Sequence, residues 1–436
     1  MLQLYNFLST ILFLLFLPLI LAVSLLKKKY RGRTLQRLGL TLRKQLPKTA
    51  GSNVPVIWLH ALSVGEVTSA LPLIIGLRER YPDALLYFST TTSTGQTTAQ
   101  QLTKGIVDAV FFSPFDVFFT LQHFLNLINP SLFVLVETDL WPGWLYCLKK
   151  RRVPVLLVNG RFSKKSLTTY HRFRFLFRPM FDCFSLISMQ TLQDAKTLQH
   201  IGIPADRITT LGNLKFDAAL SKNSTVTKRI NRSDLHLPQD CPLLICGSTH
   251  RGEEKILFSA FGEIKKRIPN FHLLIAPRDI NRGEEIERLA REYNLSSSLR
   301  SLVSEKSADI LILDTLGELA SCYRLADIAF IGGSLVPAGG HNPLEAATCG
   351  RPILFGPFMD DFTEISQDLA AAGGAHVVGT VDELVKQILV LLNSSQRVTA
   401  MGAAAKNLVR KNQGVVPRHL DVIEQLLNSP VSPGNG

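Results

Sequence analysis

Carboxylates follow two apolar runs in the first half of the chain and are its best candidates for acid–base chemistry. Glu66 closes the segment HALSVGE after the run VPVIWLHA, and Glu137 ends the run SLFVLVE. A carboxylate at a strand end is placed to remove a proton from a substrate hydroxyl. Glu66 equally suits the first turn of a helix, where a negative charge stabilises the helix dipole, so both interpretations stay open.

The segment ETDLWP after the second run adds Thr138, Asp139 and Trp141 to Glu137. Two acids and an indole at one strand end are unusual in a plain turn, and they favour a substrate site. The alternative is structural, with Thr138 or Asp139 as the N-cap of a helix.

Cationic and small residues follow other apolar runs. Lys215, in GNLKFD, is placed to contact a phosphate, although a solvated lysine is the simpler alternative. Residues 247–254 (GSTHRGEE) combine a strand end, a small polar loop and a helix start, which form a natural anion site. Arg278 puts a guanidinium at the next strand end.

The strongest segment for binding a phosphate is residues 332–347, GGSLVPAGGHNPLEAA. Its four glycines allow the backbone to approach a ligand closely, while Asn342 suits a helix N-cap and Pro343 suits the first turn. Glu345 is placed to bind ribose hydroxyls or, alternatively, to close a capping box. His341 stands alone in the loop and is assigned no ligand.

Short apolar runs alternate with helical patterns along most of the chain, which predicts parallel sheets covered by helices. Polar residues dominate residues 217–240 and predict a linker. We therefore expect an α/β fold with two doubly wound, Rossmann-like domains facing a cleft. The predicted strands are VPVIWLHA, ALLYFST, SLFVLVE, VPVLLVN and FSLISMQ in the first domain, and CPLLICGST, FHLLIAPR, ADILILD, ADIAFIGGS, RPILFGP and AHVVG in the second.

Residues 7–26 form an uncharged apolar stretch long enough to cross a bilayer as a helix. Basic residues follow it and none precedes it, so we predict an uncleaved membrane anchor, with a shallow re-entrant insertion as the alternative. The positive-inside rule places the N-terminus outside and the rest of the chain in the cytoplasm. The predicted segments are 1–26 (anchor), 27–216 (first domain), 217–240 (linker), 241–425 (second domain) and 426–436 (flexible tail).

The net charge of +13 is concentrated in two places. Nine Lys and Arg residues precede Glu66, the first acid, ten lie between Asp139 and Asp182, and the remainder of the chain is net acidic. This distribution argues against nucleic-acid binding and for local contact with anionic groups such as lipid headgroups. The six cysteines lack CxxC spacing and are expected to be reduced thiols.

Four common motifs are missing from the sequence: GxGxxG, GxxxxGK[ST], HExxH and DxD. A dinucleotide-binding fold, a P-loop NTPase, a zinc peptidase and a metal-dependent sugar-nucleotide site therefore lack sequence support. We expect no metal site and no cofactor.

The motifs HALSVGE, ETDLWP, NGRFSKKS, GNLKFD, GSTHRGEE, APR and GGSLVPAGGHNPLEAA follow one another along the chain. In this order, and with the N-terminal anchor, the chain resembles the 3-deoxy-D-manno-octulosonic acid (Kdo) transferases of lipid A biosynthesis over nearly its whole length. The resemblance implies a GT-B fold and an inverting transfer of Kdo from CMP-Kdo to the 6′-hydroxyl of the tetraacylated lipid A precursor, lipid IVA. It also implies that one or several Kdo units are added in succession.

By this resemblance, Glu66 corresponds to the catalytic base, and Glu137 and Lys215 correspond to residues that stabilise the transition state. The residues implied to bind the CMP of the donor are Pro277, Arg278, Gly317, Glu318, Leu319, Asn342, Pro343, Leu344 and Glu345. The chain departs from the common pattern at Asp279, where many members have His, and at Asp139, where many have Glu. The first departure affects contacts near the cytidine, and the second is conservative.

The implied partners are CMP-Kdo, the lipid A precursor and a membrane surface with anionic lipids, on the cytoplasmic side of the inner membrane. The acid-free residues 149–178 are expected to lie on that surface, with a solvated basic face as the alternative. Their aromatic members include Phe162, Tyr170, Phe173, Phe175 and Phe177.

Two other functions stay open from the sequence. One is a membrane-associated GT-B transferase that uses a UDP-sugar on another lipid-linked precursor, and the other is a tethered nucleotide-binding scaffold without turnover. Nothing in the sequence specifies an oligomeric state.

Overall fold

The computed structural model describes residues 1–47, 54–162, 168–170, 172–225, 230–302 and 308–429. It contains two compact units. The first comprises Met1–Ala218 and the segment that begins at Gly414, and the second comprises Ala219–Gln413.

The sheet of the first unit has seven strands, which all pair in parallel. They are β1 (Val56–Ala61), β2 (Leu85–Thr90), β3 (Ala109–Phe112), β4 (Leu132–Val136), β5 (Val155–Gly160), β6 (Leu186–Met189) and β7 (Ile208–Thr210). Their order is β3-β2-β1-β4-β5-β6-β7. The central strands β4 and β5 are buried along their whole length, because helices cover both faces of a parallel sheet.

The helices of the first unit precede, connect or follow these strands, and the helix Leu214–Thr225 continues past Ala218 into the second unit. They are α1 (Leu2–Leu26), α2 (Lys28–Arg37), α3 (Leu42–Gln45), α4 (Val64–Arg80), α5 (Ser93–Leu102), α6 (Phe118–Ile128), α7 (Pro142–Lys150), α8 (Arg174–Phe181), α9 (Leu192–Ile201) and α10 (Leu214–Thr225). The side chains of Thr92 and Thr191 accept backbone hydrogen bonds at the starts of α5 and α9, which fixes where these helices begin.

The second unit repeats the architecture with a second parallel sheet. Its strands are β8 (Leu243–Thr249), β9 (His272–Pro277), β10 (Ser297–Leu299), β11 (Ile310–Ile312), β12 (Ile328–Ile331), β13 (Ile353–Phe355) and β14 (Ala375–Val377), in the order β10-β11-β9-β8-β12-β13-β14. Its helices are α11 (Glu253–Arg267), α12 (Gly283–Glu292), α13 (Leu319–Cys322), α14 (Leu344–Thr348), α15 (Thr363–Ala371), α16 (Val381–Leu392) and α17 (Ser395–Asn412).

All eleven strands predicted from the sequence are confirmed. The prediction missed β3, β7 and β10, and each of these lies at an edge of its sheet. An edge strand has one neighbour and little buried surface, so it needs neither the length nor the apolar composition that makes a central strand visible. The strands ITT and SSL accordingly carry a weak pattern, whereas AVFF is apolar and largely buried but only four residues long.

The last helix, α18 (Val415–Asn428), belongs to the first unit. The predicted second domain, which ran to residue 425, is therefore too long, and the start of the predicted tail is helical. The reason is packing: Val415, Leu420 and Ile423 are buried in the core formed around α4 and β1. A local sequence pattern shows that such a helix is amphipathic but not which core receives it.

The linker predicted at residues 217–240 is also partly structured. Its first residues continue α10 as far as Thr225. Asp217, the first linker residue, accepts hydrogen bonds from the N–H groups of Gly414 and Val416 at 2.9 and 2.7 Å and so caps α18. Residues 226–229 of the linker and residues 430–436 of the predicted tail lie outside the described residues.

The predicted N-terminal helix is confirmed and begins at Leu2, five residues before the predicted start. Its segment Leu2–Ser24 is long and apolar enough to cross a membrane, a test of length and composition only.

Candidate active site

Glu66 lies at the carboxyl edge of the first sheet, in the first turn of α4, directly after β1. Its carboxylate accepts a hydrogen bond from the backbone N–H of Leu62, and the Ser63 hydroxyl lies 3.5 Å from its Oε1. The helix-start role considered from the sequence is therefore present. The same bonds hold the carboxylate at the strand end, so the structural role and a catalytic role are compatible.

The pKa of Glu66 is raised to about 8, first by burial and then by the negative charge of Glu137, with a smaller contribution from Asp139. The hydrogen bond from Leu62 opposes this shift. Glu66 and Glu137 interact because β1 and β4 are neighbours in the sheet. A carboxyl group whose pKa lies near neutrality is a stronger base than an exposed carboxylate, which is what proton abstraction from a hydroxyl requires.

Glu137 follows β4 with a left-handed backbone conformation, at φ 60°. Its N–H still donates to the carbonyl oxygen of Val158 on β5, at 2.9 Å. Its carboxylate accepts a hydrogen bond from Asn159 Nδ2 at 3.3 Å and lies 3.8 Å from Arg161 Nε. Left-handed backbone at a non-glycine residue is costly and persists where the surroundings enforce it, often at functional sites.

Asn159, at the end of β5, connects Glu137 with the helix that carries Lys215. It is fully buried and also left-handed, at φ 58°. While its Nδ2 donates to Glu137, its Oδ1 accepts a hydrogen bond from the N–H of Leu214 at 2.9 Å. Lys215 is the next residue, in the first turn of α10. One buried amide therefore fixes the backbone beside both residues assigned to the transition state.

A second chain of hydrogen bonds joins the same two places. Gln190 Nε2 donates to the carbonyl oxygen of Asn159 at 2.9 Å, and Asn213 Nδ2 donates to Gln190 Oε1 at 2.8 Å. Asn213 Oδ1 in turn accepts from the N–H of Lys215 at 2.9 Å. Two separate hydrogen-bond routes thus join Asn159 to the start of α10, one directly and one through Gln190 and Asn213. The start of α10 therefore has little freedom to move relative to β5.

The N-cap alternative for Thr138 and Asp139 is wrong. α7 begins at Pro142, and the N–H groups of Gly143 and Trp144 donate to Asp116, from the loop before α6, at 3.0 and 2.7 Å. A carboxylate from another loop therefore satisfies the helix start, which leaves Thr138 and Asp139 for other contacts.

Asp139 lies beside a histidine that the sequence reasoning did not assign. Its Oδ2 accepts a hydrogen bond from the Trp141 indole at 2.8 Å and lies 3.6 Å from His60 Nε2. His60 is fully buried near the end of β1, with Nδ1 2.9 Å from the Ser89 hydroxyl. His60 and Asn159 share a signal that was visible in the sequence, namely a polar residue in the last positions of an otherwise apolar strand.

In the second unit, Glu253 organises two of the predicted phosphate loops. This fully buried carboxylate accepts hydrogen bonds from the N–H groups of His250 and Gly333 at 2.8 and 2.7 Å. It also accepts from Ser334 and Leu335, both at 2.9 Å. Four donors compensate for burial of its charge, and they join residues 247–254 to the start of residues 332–347.

Gly332 and Gly333 are required by this close association. A Cβ atom at Gly332 would lie 2.4 Å from the carbonyl oxygen of Ser248, and Gly333 has a left-handed φ of 70°. Only glycine fits at Gly332 without moving the backbone, and glycine adopts the left-handed conformation of Gly333 at no steric cost. The glycines inferred to serve a ligand therefore also serve the packing of one loop on the other.

His341, to which the sequence assigned no ligand, pairs with His250. Their Nε2 atoms are 2.8 Å apart and the rings are stacked, with an interplanar angle of 17°. The pKa of His341 is lowered to about 4 by burial, then by Arg278 and His250. The neutral ring thus lies within the electrostatic influence of Arg278, one of the residues implied to bind the donor.

The remaining donor residues lie at the carboxyl ends of three strands of the second sheet. Pro277 is the buried last residue of β9, and Arg278 follows it, exposed. Gly317 is left-handed, at φ 85°, and Glu318 accepts hydrogen bonds from the Thr315 hydroxyl and, at 3.2 Å, from Arg300. Leu319 begins α13.

The segment Asn342, Pro343, Leu344 and Glu345 forms the start of α14, as predicted, but the N-cap is Pro343 and not Asn342. Asn342 Oδ1 accepts a hydrogen bond from the N–H of Leu344 at 3.0 Å, although the Pro343 carbonyl accepts the first bond of the helix, from Ala347. Glu345 is half-buried in the first turn. Among the described residues, no group of three or more His, Cys, Asp or Glu side chains is arranged to hold a metal ion.

Comparison with known proteins identifies the family. The family model described as 3-Deoxy-D-manno-octulosonic-acid transferase (kdotransferase) matches residues 32–218. A 3-deoxy-D-manno-octulosonic acid transferase of Haemophilus influenzae is 32% identical over 436 residues, which cover 98% of this chain and all of that protein. The chain belongs to the Kdo transferase family. A second member, from Rickettsia felis, is 32% identical over 92% of this chain and 88% of its own length.

Membership of the Kdo transferase family makes the chain a glycosyltransferase, as predicted. The fold class is confirmed as well: two parallel α/β units of the GT-B type. A putative UDP-N-acetylglucosamine 2-epimerase from Listeria monocytogenes matches 85% of this chain and 96% of its own with a TM-score of 0.62. At 14% identity, this similarity concerns the fold alone.

For a Kdo transferase, the first unit offers a set of groups suited to activating a hydroxyl. A carboxyl group with a raised pKa lies beside two further acids at one sheet edge, and a lysine backbone is tied to the same edge through Asn159. The second unit offers loops organised by Glu253, with an exposed guanidinium at the next strand end. The chemistry of the first set suits proton abstraction, and the chemistry of the second set suits anion binding.

Proposed function

We propose that the protein transfers Kdo from CMP-Kdo to the lipid A precursor lipid IVA, with inversion at the anomeric carbon. The observation that carries the proposal is Glu66, a half-buried carboxyl group with its pKa raised to about 8, beside Glu137 and Asp139. Membership of the Kdo transferase family and the names of its relatives support Kdo as the transferred sugar.

Glu66 takes the proton of the acceptor's 6′-hydroxyl while the oxygen attacks the anomeric carbon of Kdo. The bond between that carbon and the phosphate oxygen breaks, and its electron pair leaves with CMP. Attack from the side opposite the leaving group inverts the anomeric centre. The proton on Glu66 then passes to solvent, and because the pKa of Glu66 is raised to about 8, this release is favoured as the pH approaches and exceeds that value.

Charged side chains stabilise the transition state of this transfer. Glu137 balances the positive charge that develops on the sugar ring, and Lys215 balances the negative charge that develops on the phosphate. The donor's CMP is held by Pro277, Arg278, Gly317, Glu318, Leu319, Asn342, Pro343, Leu344 and Glu345.

The proposed reaction uses no metal ion and no cofactor, since lysine and guanidinium groups supply the cationic charge. EDTA should therefore leave the initial rate unchanged. A rate that EDTA abolishes and a divalent cation restores would contradict this part of the proposal.

The acceptor places the reaction on the cytoplasmic side of the inner membrane, at a surface with anionic lipids. The apolar helix α1 supports this location, as do the exposed rings of Phe173 and Phe175 beside Arg172 and Arg174. In contrast, Phe162, Tyr170 and Phe177, predicted to share that surface, pack in or against the core of the first unit. Residues 163–167 and 171 of this stretch lie outside the described residues.

The test measures transfer from CMP-Kdo to lipid IVA with products weighed by mass spectrometry, for wild type, Glu66→Gln and Glu79→Gln. Glutamine keeps an acceptor for the Leu62 N–H but is no base, so the rate should fall by roughly 10²–10⁴-fold. Glu79 is exposed on the same helix, and its variant should match wild type.

The product mass also counts the Kdo units added. Two results together would contradict the proposal: the wild-type protein transfers no Kdo, and UDP rather than CMP competes for its donor site. They would favour the UDP-sugar transferase instead. Full function in Glu66→Gln would favour a scaffold without turnover.

A further inference from the structure

One face of α1 is shielded along the whole helix. The described side chains of α1 that are not exposed are Leu2, Asn6, Ser9, Thr10, Phe13, Leu17, Ile20 and Ser24. Their spacing of three or four residues puts them on a single stripe. The stripe runs from one end of the helix to the other, over roughly 33 Å at 1.5 Å per residue.

The polar residues of α1 lie almost entirely on this stripe. Asn6, Ser9, Thr10 and Ser24 belong to it, and only Gln3 and the hydroxyl-bearing Tyr5 lie outside. The opposite side carries exposed apolar residues: Leu4, Phe7, Leu8, Ile11, Leu12, Leu14, Leu15, Phe16 and Leu19. In a helix surrounded by lipid on all sides, nothing favours one side for the polar residues. In a helix that lies between protein and lipid, polar residues are favoured on the side that contacts the protein.

Specific contacts hold α1 to the first unit near the N-terminal end of the helix. Leu2 packs against the main core of that unit, and the Tyr5 hydroxyl hydrogen-bonds to Asp116. Thr10 Oγ1 accepts a hydrogen bond from the N–H of Phe118 at 3.2 Å. At the other end, the hydroxyls of Ser24 and Thr34 are 2.6 Å apart. Both ends of the helix are therefore attached to the same folded unit.

The middle of the helix is attached as well. Phe13, halfway between Leu2 and Ser24, packs on Phe115 and Phe119 with ring centroids 5.2 and 5.8 Å away. The guanidinium of Arg37 lies 4.3 Å from the centre of the Phe115 ring and donates to the carbonyl oxygen of Ser113 at 3.1 Å. If α1 crossed the bilayer, this guanidinium and the irregular backbone before α6 would lie at the depth of the bilayer centre, where both are strongly disfavoured.

We propose that α1 lies in the plane of one membrane leaflet, with its polar stripe on the first unit and its apolar side in the lipid hydrocarbon. The exposed rings of Phe118 and Phe119 on α6 extend the same apolar surface. The occupant of this surface is the acyl region of the leaflet, because an apolar patch of this size is unstable in water and carries no charge. The N-terminus then stays on the same side as the folded units, in place of the outside position that the positive-inside rule predicts.

This arrangement couples the membrane to the candidate active site. Asp116, which Tyr5 of α1 contacts, is the residue that caps α7 through Gly143 and Trp144. α7 follows directly after Asp139 and Trp141. When α1 lies in the leaflet, it thus supports, through Asp116, the loop that carries Asp139 next to the carboxylates of the candidate active site.

The test is the sidedness of a cysteine at the start of α1, in full-length protein in membranes. Gln3→Cys and Ser429→Cys are made separately in a Cys349→Ser background, since the other cysteines are buried. Gln3 and Ser429 are both exposed, and Ser429 follows α18 of the first unit. An impermeant maleimide is applied to intact spheroplasts and to inverted vesicles. Labelling of both positions from the same side supports the proposal, and labelling from opposite sides overturns it.

A cross-link distinguishes a helix in the leaflet from a re-entrant insertion, which also keeps the N-terminus inside. Phe13→Cys with Phe119→Cys should react with a short bismaleimide in membranes, whereas Leu15→Cys with Phe119→Cys should not, because Leu15 is on the apolar side. Same-side labelling without the first cross-link contradicts the proposal. Transfer activity is measured on each variant to confirm that it is folded.

Discussion

Burial and the neighbouring acids Glu137 and Asp139 raise the pKa of Glu66 at the carboxyl edge of the first sheet. Glu66 follows β1 and Glu137 follows the neighbouring strand β4, while Asp139 lies in the loop after β4, next to His60. Like charges at this spacing keep a proton on one of them, and burial makes Glu66 that residue. The chemistry of this edge is therefore a property of the group and not of any single acid.

The first prediction concerns pH. The pKa of Glu66 is raised to about 8, so the deprotonated carboxylate that acts as the base forms only as the pH rises. We therefore expect kcat/KM to increase with pH, with the midpoint of the increase near pH 8. Glu137→Gln removes the second-largest cause of the shift and should move the midpoint to lower pH, while also lowering kcat. The measurement is a pH–rate profile of both proteins. A midpoint that stays in place in Glu137→Gln would show that the two acids do not interact.

The second prediction concerns Asn159 as a positioning residue. Asn159→Asp keeps the acceptor for the Leu214 N–H but replaces the donor to Glu137 with a negative charge. We expect kcat to fall by about 10–100-fold with little change in KM, and the pH midpoint to move up, since the added charge raises the pKa of Glu66 further. Asn129→Asp is the control, because Asn129 is also left-handed but exposed. An unshifted midpoint would reduce Asn159 to a structural role.

At the scale of elements, the return of α18 to the first unit is the main addition that the structure makes. Its N-terminus is capped by Asp217, its His419 lies 2.9 Å from the Ser188 hydroxyl on β6, and Leu420 packs on α4. The helix α4, which carries Glu66 in its first turn, is thus supported by α18.

The third prediction tests this support. A Cβ atom at Gly76 on α4 would lie 3.0 Å from both Leu420 and Val416, so Gly76→Val should push α18 away and destabilise the first unit by about 1–3 kcal/mol. Gly32→Val is the matched control, since a Cβ atom there meets nothing within 4 Å. Urea unfolding followed by tryptophan fluorescence reports on this unit, because Trp58, Trp141 and Trp144 all lie in it. Equal loss of stability in both variants would indicate a helix-propensity effect alone.

At the scale of the whole molecule, the distribution of charge matters more than its sum. The excess of +13 derives from the N-terminal basic residues and the stretch before Asp182. In the second stretch, Arg172 and Arg174 flank the exposed ring of Phe173, and Phe175 is also exposed. Basic side chains interleaved with exposed aromatic rings suit an anionic membrane surface.

The fourth prediction is that Arg172→Glu with Arg174→Glu weakens binding to vesicles containing anionic lipid and raises the KM for lipid IVA, by a factor that shrinks as salt is added. Each removed arginine charge should cost about 1 kcal/mol of binding, so removing two should weaken vesicle binding by roughly 30-fold. The control is Lys255→Glu with Arg288→Glu, which makes the same change at exposed positions of the second unit. Equal effects of the two double variants would show that only total charge counts.

The sequence by itself determined the parts that depend on local order. Buried central strands carry long apolar runs, so all of them were predicted, and the loops after them contain the carboxylates that the structure brings to one sheet edge. The order of motifs along the chain was enough to predict the Kdo transferase family, which the relatives confirm. Short edge strands such as β10 were missed because they bury too little to need an apolar run.

The tertiary structure alone decided the parts that depend on which surfaces meet. Asp116 caps α7 in place of Thr138, α18 returns to the first core, and Asn159 ties Glu137 to the start of α10. None of these contacts joins residues close in sequence, so no local pattern records them. The pKa of Glu66 is the clearest case: the sequence places a carboxylate at a strand end, and only burial beside Glu137 raises its pKa to about 8.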